Sequence, residues 1–168
     1  MMTLDEAEEE IDQRLGETPR AEHSRCVGRA MRRVAEHLRE DVLVWELTGL
    51  CHDLDFDVTA DDRSRHGMLA AAWLAGRLPN DALQAIRAHD HRTGERSDTS
   101  LAITLRMTDA LVVLRDEFGT GLAELLGDPE ELRRRSANRP WLPCLLLDGA
   151  ASLGVPLVLL GDIARAGA

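Results

Sequence analysis

The sequence predicts an all-α fold, and three observations support this prediction. Apolar residues recur every three to four positions, capping residues precede these segments, and no segment alternates apolar and polar residues with a period of two. The 168 residues suit a single domain. We expect its core over about residues 18–117, with residues 118–168 forming a C-terminal helical cap.

Capping signals mark the first two predicted helices. Thr3 and Glu6 form a capping box, and apolar residues then follow at helical spacing until Gly16. Thr18-Pro19 begins a second helix, because proline is favoured at the first helical position. The apolar stripe of this second helix includes His23.

A central helix and two further helices are predicted next. The run 42–51 is apolar on nearly every side, which is typical of a buried helix. His52 and Asp53 lie at its C-terminal end. After an acidic loop, capping and spacing predict helices over about residues 64–77 and 79–89.

The rest of the chain is also predicted to be helical. A polar loop over residues 90–99 precedes a helix from residue 100 to about residue 116, which places Asp109 on an apolar face. Three more short helices are predicted, one beginning near Asp128 and two over residues 141–153 and 156–166. The leucine-rich region after Trp141 could close the core or form a homodimer seam.

Composition excludes several classes of function. The formal net charge of −10 repels polyanions, so we expect no long nucleic acid as a partner. The sequence contains no lysine and no tyrosine, which excludes Schiff-base chemistry and a phenolic nucleophile. Three cysteines without paired spacing indicate a reducing compartment. We find no signal peptide and no apolar run that could span a membrane, and therefore expect a cytoplasmic protein without a membrane partner.

A carboxylate on an apolar helix face requires a partner, and Asp109 is such a carboxylate. His23 also lies on an apolar face, and His52-Asp53 adds an imidazole and a carboxylate at one helix end. These side chains are sufficient to hold one divalent ion. His66 and His89 stand near helix ends and could hold a second ion.

In this hypothesis Asp53 bridges two ions about 3.5 to 4 Å apart, an arrangement that suits phosphoester hydrolysis. Water bound to the ions would lose a proton near neutral pH and attack the phosphorus, so no protein nucleophile is needed.

These residues, in this order, resemble the HD-domain superfamily of metal-dependent phosphohydrolases, which is named for a His-Asp doublet. The matching positions are His23, His52-Asp53, His66-Gly67, Ala88-His89 and Thr108-Asp109-Ala110-Leu111. The string from His52 to Asp57 further resembles a subgroup of small, stand-alone bacterial members. The resemblance covers about residues 22–113 and implies a single-domain, HD-type orthogonal helical bundle.

The resemblance also implies a site and an activity. The implied metal ligands are His23, His52, Asp53, His66, His89 and Asp109, with Asp53 and His66 catalytic. The implied cofactor is one or two divalent ions of Mn, Fe, Mg, Ni or Zn. The implied substrate and partner is a small phosphorylated molecule, either a phosphate ester or a nucleotide.

Two departures from the family pattern leave alternatives open. The loop between Asp53 and His66 is short, so no substrate can be carried over from members with longer insertions. His89 is followed by Asp90 and His91, so His91 is a candidate to replace or assist His89.

Three arginines beside the histidines, Arg63, Arg65 and Arg92, are candidate phosphate-binding residues. A solvated loop would explain the same charges.

Two other functions remain open at this point. Some proteins that resemble this family use the six ligands for a di-iron centre and oxygenate their substrate. A non-catalytic HD module that binds a small ligand would also retain the fold.

Overall fold

A computed structural model describes residues 1–167 of the chain and confirms the all-α fold. Over these residues it contains no strand, and the only β-type contact is an isolated bridge between Ala75 and Leu78. The α-helices are α1 (Leu4–Arg14), α2 (Pro19–Leu38), α3 (Val42–Cys51), α4 (Met68–Trp73), α5 (Asn80–Arg87), α6 (Ser100–Phe118), α7 (Leu122–Leu125), α8 (Pro129–Arg135), α9 (Trp141–Leu153) and α10 (Leu157–Ala166).

The first three helices each begin with a side-chain cap, and the first of these caps is the predicted capping box. Thr3 and Glu6 form both hydrogen bonds of the capping box on α1. The side chain of Thr18 accepts a hydrogen bond from the backbone of α2, and Asp41 does the same for α3. Local capping chemistry therefore sets where each of these helices begins.

The predicted helix over residues 64–77 is wrong in its extent. The chain forms a 3₁₀ turn at Arg63–Arg65, and α4 begins only at Met68. Gly67 separates the two because its φ of 79° lies in the left-handed region, which an α-helix cannot continue through. The helix α7 was not predicted, because four residues are too few to show a periodic pattern.

The chain divides into two compact units, Met1–Leu105 and the part from Arg106 onward, with the division inside α6. The assignment of the whole chain to one domain, with a core over residues 18–117, stays a prediction.

In the first unit, α2 and α3 touch through two glycines. A Cβ atom added to Gly49 would lie 2.8 Å from Cα of Gly28, and one added to Gly28 would lie 2.7 Å from Cγ of Leu50. Side chains larger than hydrogen at either position would force the helices apart. Because His23 is on α2 and His52 follows α3, this backbone contact also sets the spacing of the two histidines.

The helix α1 is attached to the first unit by polar contacts. The backbone N–H of Met2 donates to the carbonyl oxygen of Arg77, and the carboxylate of Glu10 pairs with both Arg14 and Arg77. The guanidinium of Arg14 stacks 3.8 Å from the centre of the Trp73 ring. These contacts tie the N-terminus to the segment that follows α4.

In the second unit, α7 packs against α10, with Gly161 close to Ala123; a Cβ atom added to Gly161 would lie 3.5 Å from Cβ of Ala123, an ordinary van der Waals distance. Leu146 of α9 is fully buried, whereas Trp141 is 51% exposed. The homodimer seam in this region stays a prediction.

Over the described residues, no helix combines the length and the apolar character needed to cross a bilayer.

Candidate metal centre

The His52-Asp53 doublet lies where α3 ends and a series of turns begins. His52 is the last residue of helical geometry after Cys51, and Asp53 follows it into the turn. Both side chains are buried, and Asp53 is only 2% exposed. An ionised carboxylate at such depth requires compensating positive charge or hydrogen-bond donors.

One oxygen of Asp53 faces the α2–α3 side of the first unit. Nη1 of Arg20 donates to Oδ2 of Asp53 at 2.8 Å. Nε2 of His52 lies 3.4 Å from the same oxygen, and Nε2 of His23 lies 3.9 Å from it. Arg20 and His23 are one helical turn apart on α2, so both side chains leave the same face of that helix.

The other oxygen of Asp53 faces a second pair of histidines. Nε2 of His66 lies 3.0 Å from Oδ1, and Nε2 of His89 lies 3.5 Å from it. The two Nε2 atoms are 3.2 Å apart. The two oxygens of one carboxylate thus face different histidine pairs, and the pairs adjoin each other, since the ring centres of His52 and His89 are 5.1 Å apart.

Backbone carbonyl groups set the orientation of two of these imidazoles. Nδ1 of His52 donates to the carbonyl oxygen of Gly49 at 2.7 Å, and Nδ1 of His89 donates to that of Ile86 at 2.7 Å. A carbonyl oxygen can only accept, so Nδ1 carries a proton in both rings and Nε2 is the nitrogen that faces Asp53. When the ring is protonated, Nε2 carries the second proton; when the ring is neutral, Nε2 carries a lone pair that a metal can bind, as in histidines that ligate through Nε2.

A carboxylate from the turn orients the third imidazole. Oδ1 of Asp55 accepts from Nδ1 of His66 at 2.8 Å and from the backbone N–H of Gly67 at 3.0 Å. Oδ2 accepts from the N–H groups of Leu69 and Ala70. The pKa of Asp55 is lowered because these hydrogen bonds outweigh the effect of burial. Asp55 therefore fixes both the ring of His66 and the start of α4.

The charge of Asp53 is maintained by its neighbours. Burial alone would raise its pKa, but the charge of His52, hydrogen bonds from His66 and His89, and the charge of Arg20 hold the pKa well below its ordinary value. Asp53 is therefore a carboxylate at neutral pH.

The pKa of His66 is also set by its charged neighbours. Burial would lower its pKa, but its hydrogen bonds to Asp53 and Asp55 raise the pKa to about 9. Without a metal, the ring of His66 is protonated and lies between the two carboxylates, with Nε2 facing Asp53 and Nδ1 facing Asp55. A divalent cation can take the place of that proton, because metal ions bind the deprotonated form of their ligands.

The donor set fits a divalent ion. Ligand atoms of His52, Asp53 and His89 all lie within 4.8 Å of one another, and all three residues are buried. Imidazole nitrogen with carboxylate oxygen suits Zn, Mn, Fe or Ni. His23 and His66 extend the cluster on either side of the carboxylate.

Two other predicted residues, His91 and Arg92, lie outside this cluster. His91 is exposed, and its Nδ1 lies 3.7 Å from the carboxylate of Asp90. Arg92 pairs with the same carboxylate. The structure thus brings His89 to Asp53 and places His91 at the surface. Asp109 is half-buried on the part of α6 that belongs to the second unit, and its place in the ligand set stays a prediction.

Arg63 and Arg65 lie in the 3₁₀ turn before His66. Arg65 is exposed, whereas Arg63 is half-buried and donates from Nη1 to the carbonyl oxygen of Phe56 at 2.8 Å. Their contact with phosphate stays a prediction.

Two residues of the site were not predicted from sequence. Arg20 could have been found, because it stands three residues before His23 on one helix face. Asp55 lies in an acidic loop, and the sequence of such a loop gives no sign that one of its carboxylates turns inward.

Comparison with known proteins identifies one family. A sequence model of the HD domain matches residues 20–114, which is more than half of the chain. Searches of curated proteins and of solved structures return no match.

Proposed function

Because this chain belongs to the HD-domain family, whose members are generally metal-dependent hydrolases, we propose that it hydrolyses a small phosphate ester or nucleotide with one or two divalent ions. The proposed ligands are His23, His52, Asp53, His66, His89 and Asp109. The proposed setting is the cytoplasm, and the proposed partner is a small phosphorylated molecule.

One observation carries this proposal: Oδ2 of Asp53 faces His23 and His52, whereas Oδ1 faces His66 and His89. A carboxylate with an imidazole pair on each oxygen is the arrangement expected of a ligand that bridges two cations. A carboxylate that only balanced the charge of Arg20 would need one partner.

Bound divalent ions supply Lewis-acid activation of water and of the phosphoryl oxygens. Asp53 and His66 are the residues to which we assign catalysis, because their side chains are 3.0 Å apart at the centre of the cluster. Asp55 holds the His66 ring in place through Nδ1, and Arg20 is one of the neighbours that keep Asp53 ionised, together with His52, His66 and His89.

No protein nucleophile is required. Cys51 stands beside His52 in sequence, but it is fully buried and burial raises the pKa of its thiol to about 12. A thiol with that pKa is not a nucleophile at neutral pH.

We assign phosphate binding to Arg63 and Arg65, which flank the cluster in sequence, and we keep Arg92 as a third candidate. Arg92 pairs with Asp90, so a substrate could use it only if that pair opened.

The test combines metal analysis with turnover. Protein purified without chelators or a histidine tag is analysed for metals and then assayed on phosphomonoesters and nucleotides, with and without Mn²⁺. We expect one or two ions per chain and release of phosphate. The variant Asp53→Ala loses both, whereas Asp57→Ala, a matched change at an exposed aspartate of the same turn, keeps both.

Three results would overturn the proposal. Full metal content in Asp53→Ala would refute the ligand assignment. Two irons per chain with oxygen uptake and no phosphate release from any ester would indicate the oxygenase. No bound metal and no change in melting temperature on adding Mn²⁺ or Ni²⁺ would indicate a non-catalytic module.

A further inference from the structure

Phe56 holds two guanidinium groups beside the candidate metal centre. Its half-buried ring lies in the turns after α3, with Cζ of Arg20 at 3.7 Å and Cζ of Arg63 at 3.9 Å from the ring centre. The ring also meets the imidazole of His66 edge to face, with 5.5 Å between ring centres. One aromatic side chain therefore contacts both arginines and one proposed ligand.

The two arginines come from separate segments, α2 and the 3₁₀ turn before His66. Each guanidinium is held at the ring and by one further hydrogen bond. Nη1 of Arg20 donates to Oδ2 of Asp53, and Nη1 of Arg63 donates to the carbonyl oxygen of Phe56 itself. Over residues 1–167 neither guanidinium makes another hydrogen bond, so the other N–H groups of both can bind an anion.

Two positive charges over one ring repel each other, and Asp53 offsets only part of that charge. The attraction of each cation to the ring face lowers the cost of keeping them together. Since each Cζ lies under 4 Å from the ring centre, the two can be no more than about 8 Å apart, and one phosphate can reach both.

We propose that Phe56 is a positioning residue that orders Arg20 and Arg63 into a paired binding site for the terminal phosphate of a phosphomonoester. Such a phosphate carries a charge near −2 at neutral pH, because its second pKa is about 6. A phosphodiester carries a single negative charge, so the two arginines attract it less strongly. The inference rests on the proposed function and deepens it, since it selects monoesters as the substrate class.

The binding test needs no turnover. Inorganic phosphate is titrated calorimetrically into wild type, Phe56→Leu, Phe56→Tyr and Phe118→Leu, with the metal content of each measured first. Leucine keeps apolar volume but removes the ring, tyrosine keeps the ring, and Phe118 is the sequence's other phenylalanine, at the end of α6. Phe56→Leu weakens phosphate binding roughly tenfold, and the other two variants bind within about twofold of wild type.

A kinetic test separates positioning from loss of structure. With p-nitrophenyl phosphate, Phe56→Leu raises KM roughly tenfold and leaves kcat within about twofold. With the diester bis-p-nitrophenyl phosphate, Phe56→Leu changes KM by less than about twofold, because a single negative charge is bound only weakly by Arg20 and Arg63.

Two results would overturn the inference. Phosphate binding in Phe56→Leu that equals wild type shows that the ring does not order the arginines. Loss of metal in the same variant shows that Phe56 acts on His66 instead. If wild type hydrolyses no ester but binds phosphate in a Phe56-dependent manner, the proposed function fails while the anion site stands.

Discussion

Gly67 offers a sharp test of how the site is assembled, because Gly76 is a matched control for it. Both glycines have left-handed backbone geometry, with φ of 79° and 78°. A Cβ atom added to Gly67 would lie 2.4 Å from the carbonyl oxygen of Ile86 and 3.1 Å from two ring atoms of His89. A Cβ atom added to Gly76 would meet nothing within 4 Å. The two alanine variants therefore share the backbone strain and differ only in the contact.

The expected magnitudes follow from that difference. Left-handed geometry costs alanine about 1–2 kcal/mol, and reduced freedom of the unfolded chain returns about 0.4–1 kcal/mol, so Gly76→Ala loses roughly 1 kcal/mol. Overpacking adds about 1–3 kcal/mol, and the upper end applies to Gly67→Ala because the obstructing atom belongs to the backbone. We expect Gly67→Ala to lose roughly 4 kcal/mol.

The assay is urea denaturation of both variants in chelator, which keeps metal binding out of the comparison. Metal content is then measured on samples prepared without chelator. Gly67→Ala retains less metal, because the added methyl group displaces His89, and Gly76→Ala retains as much as wild type. Equal losses of stability in the two variants would refute the close packing of Gly67 against the end of α5.

Three further predictions follow from the site. Asp55→Ala lowers metal affinity about 10- to 100-fold by equilibrium dialysis, because His66 loses its orienting carboxylate; unchanged affinity contradicts that role. In chelator, the raised pKa of His66 stabilises the folded state by up to about 3 kcal/mol at pH values below 6.5, the pKa of the residue in the unfolded chain. This contribution disappears as the pH rises through about 9, so a urea midpoint that does not fall between pH 6.5 and 9 contradicts this assignment. A thiol reagent modifies Cys144 in the native protein and spares the buried Cys26 and Cys51; fast modification of either buried thiol would contradict their burial.

Much of the fold could be predicted from sequence because local chemistry determines it. Caps at Thr3, Thr18 and Asp41 and the apolar run of α3 specify the first three helices without reference to the rest of the chain. The break at Gly67 could not be predicted, because it depends on how the backbone passes the end of α5.

The site, like the fold, could be predicted from the sequence only in part. Histidine and aspartate types at given positions are visible in sequence, and the structure brings His23, His52, His66 and His89 around Asp53. Side-chain direction within a series of turns is not visible, because it depends on tertiary contacts. Asp55 and Phe56 stand in such a segment, and both turn toward His66.

The glycine contact between α2 and α3 bears on how this protein could be redesigned. Because backbone atoms of Gly28 and Gly49 set the helix spacing, the separation of His23 and His52 does not depend on the segment from Asp57 to Asp62. That segment is mostly exposed, so longer inserts could be grafted there to recognise new substrates. The histidine framework beneath them would keep its geometry.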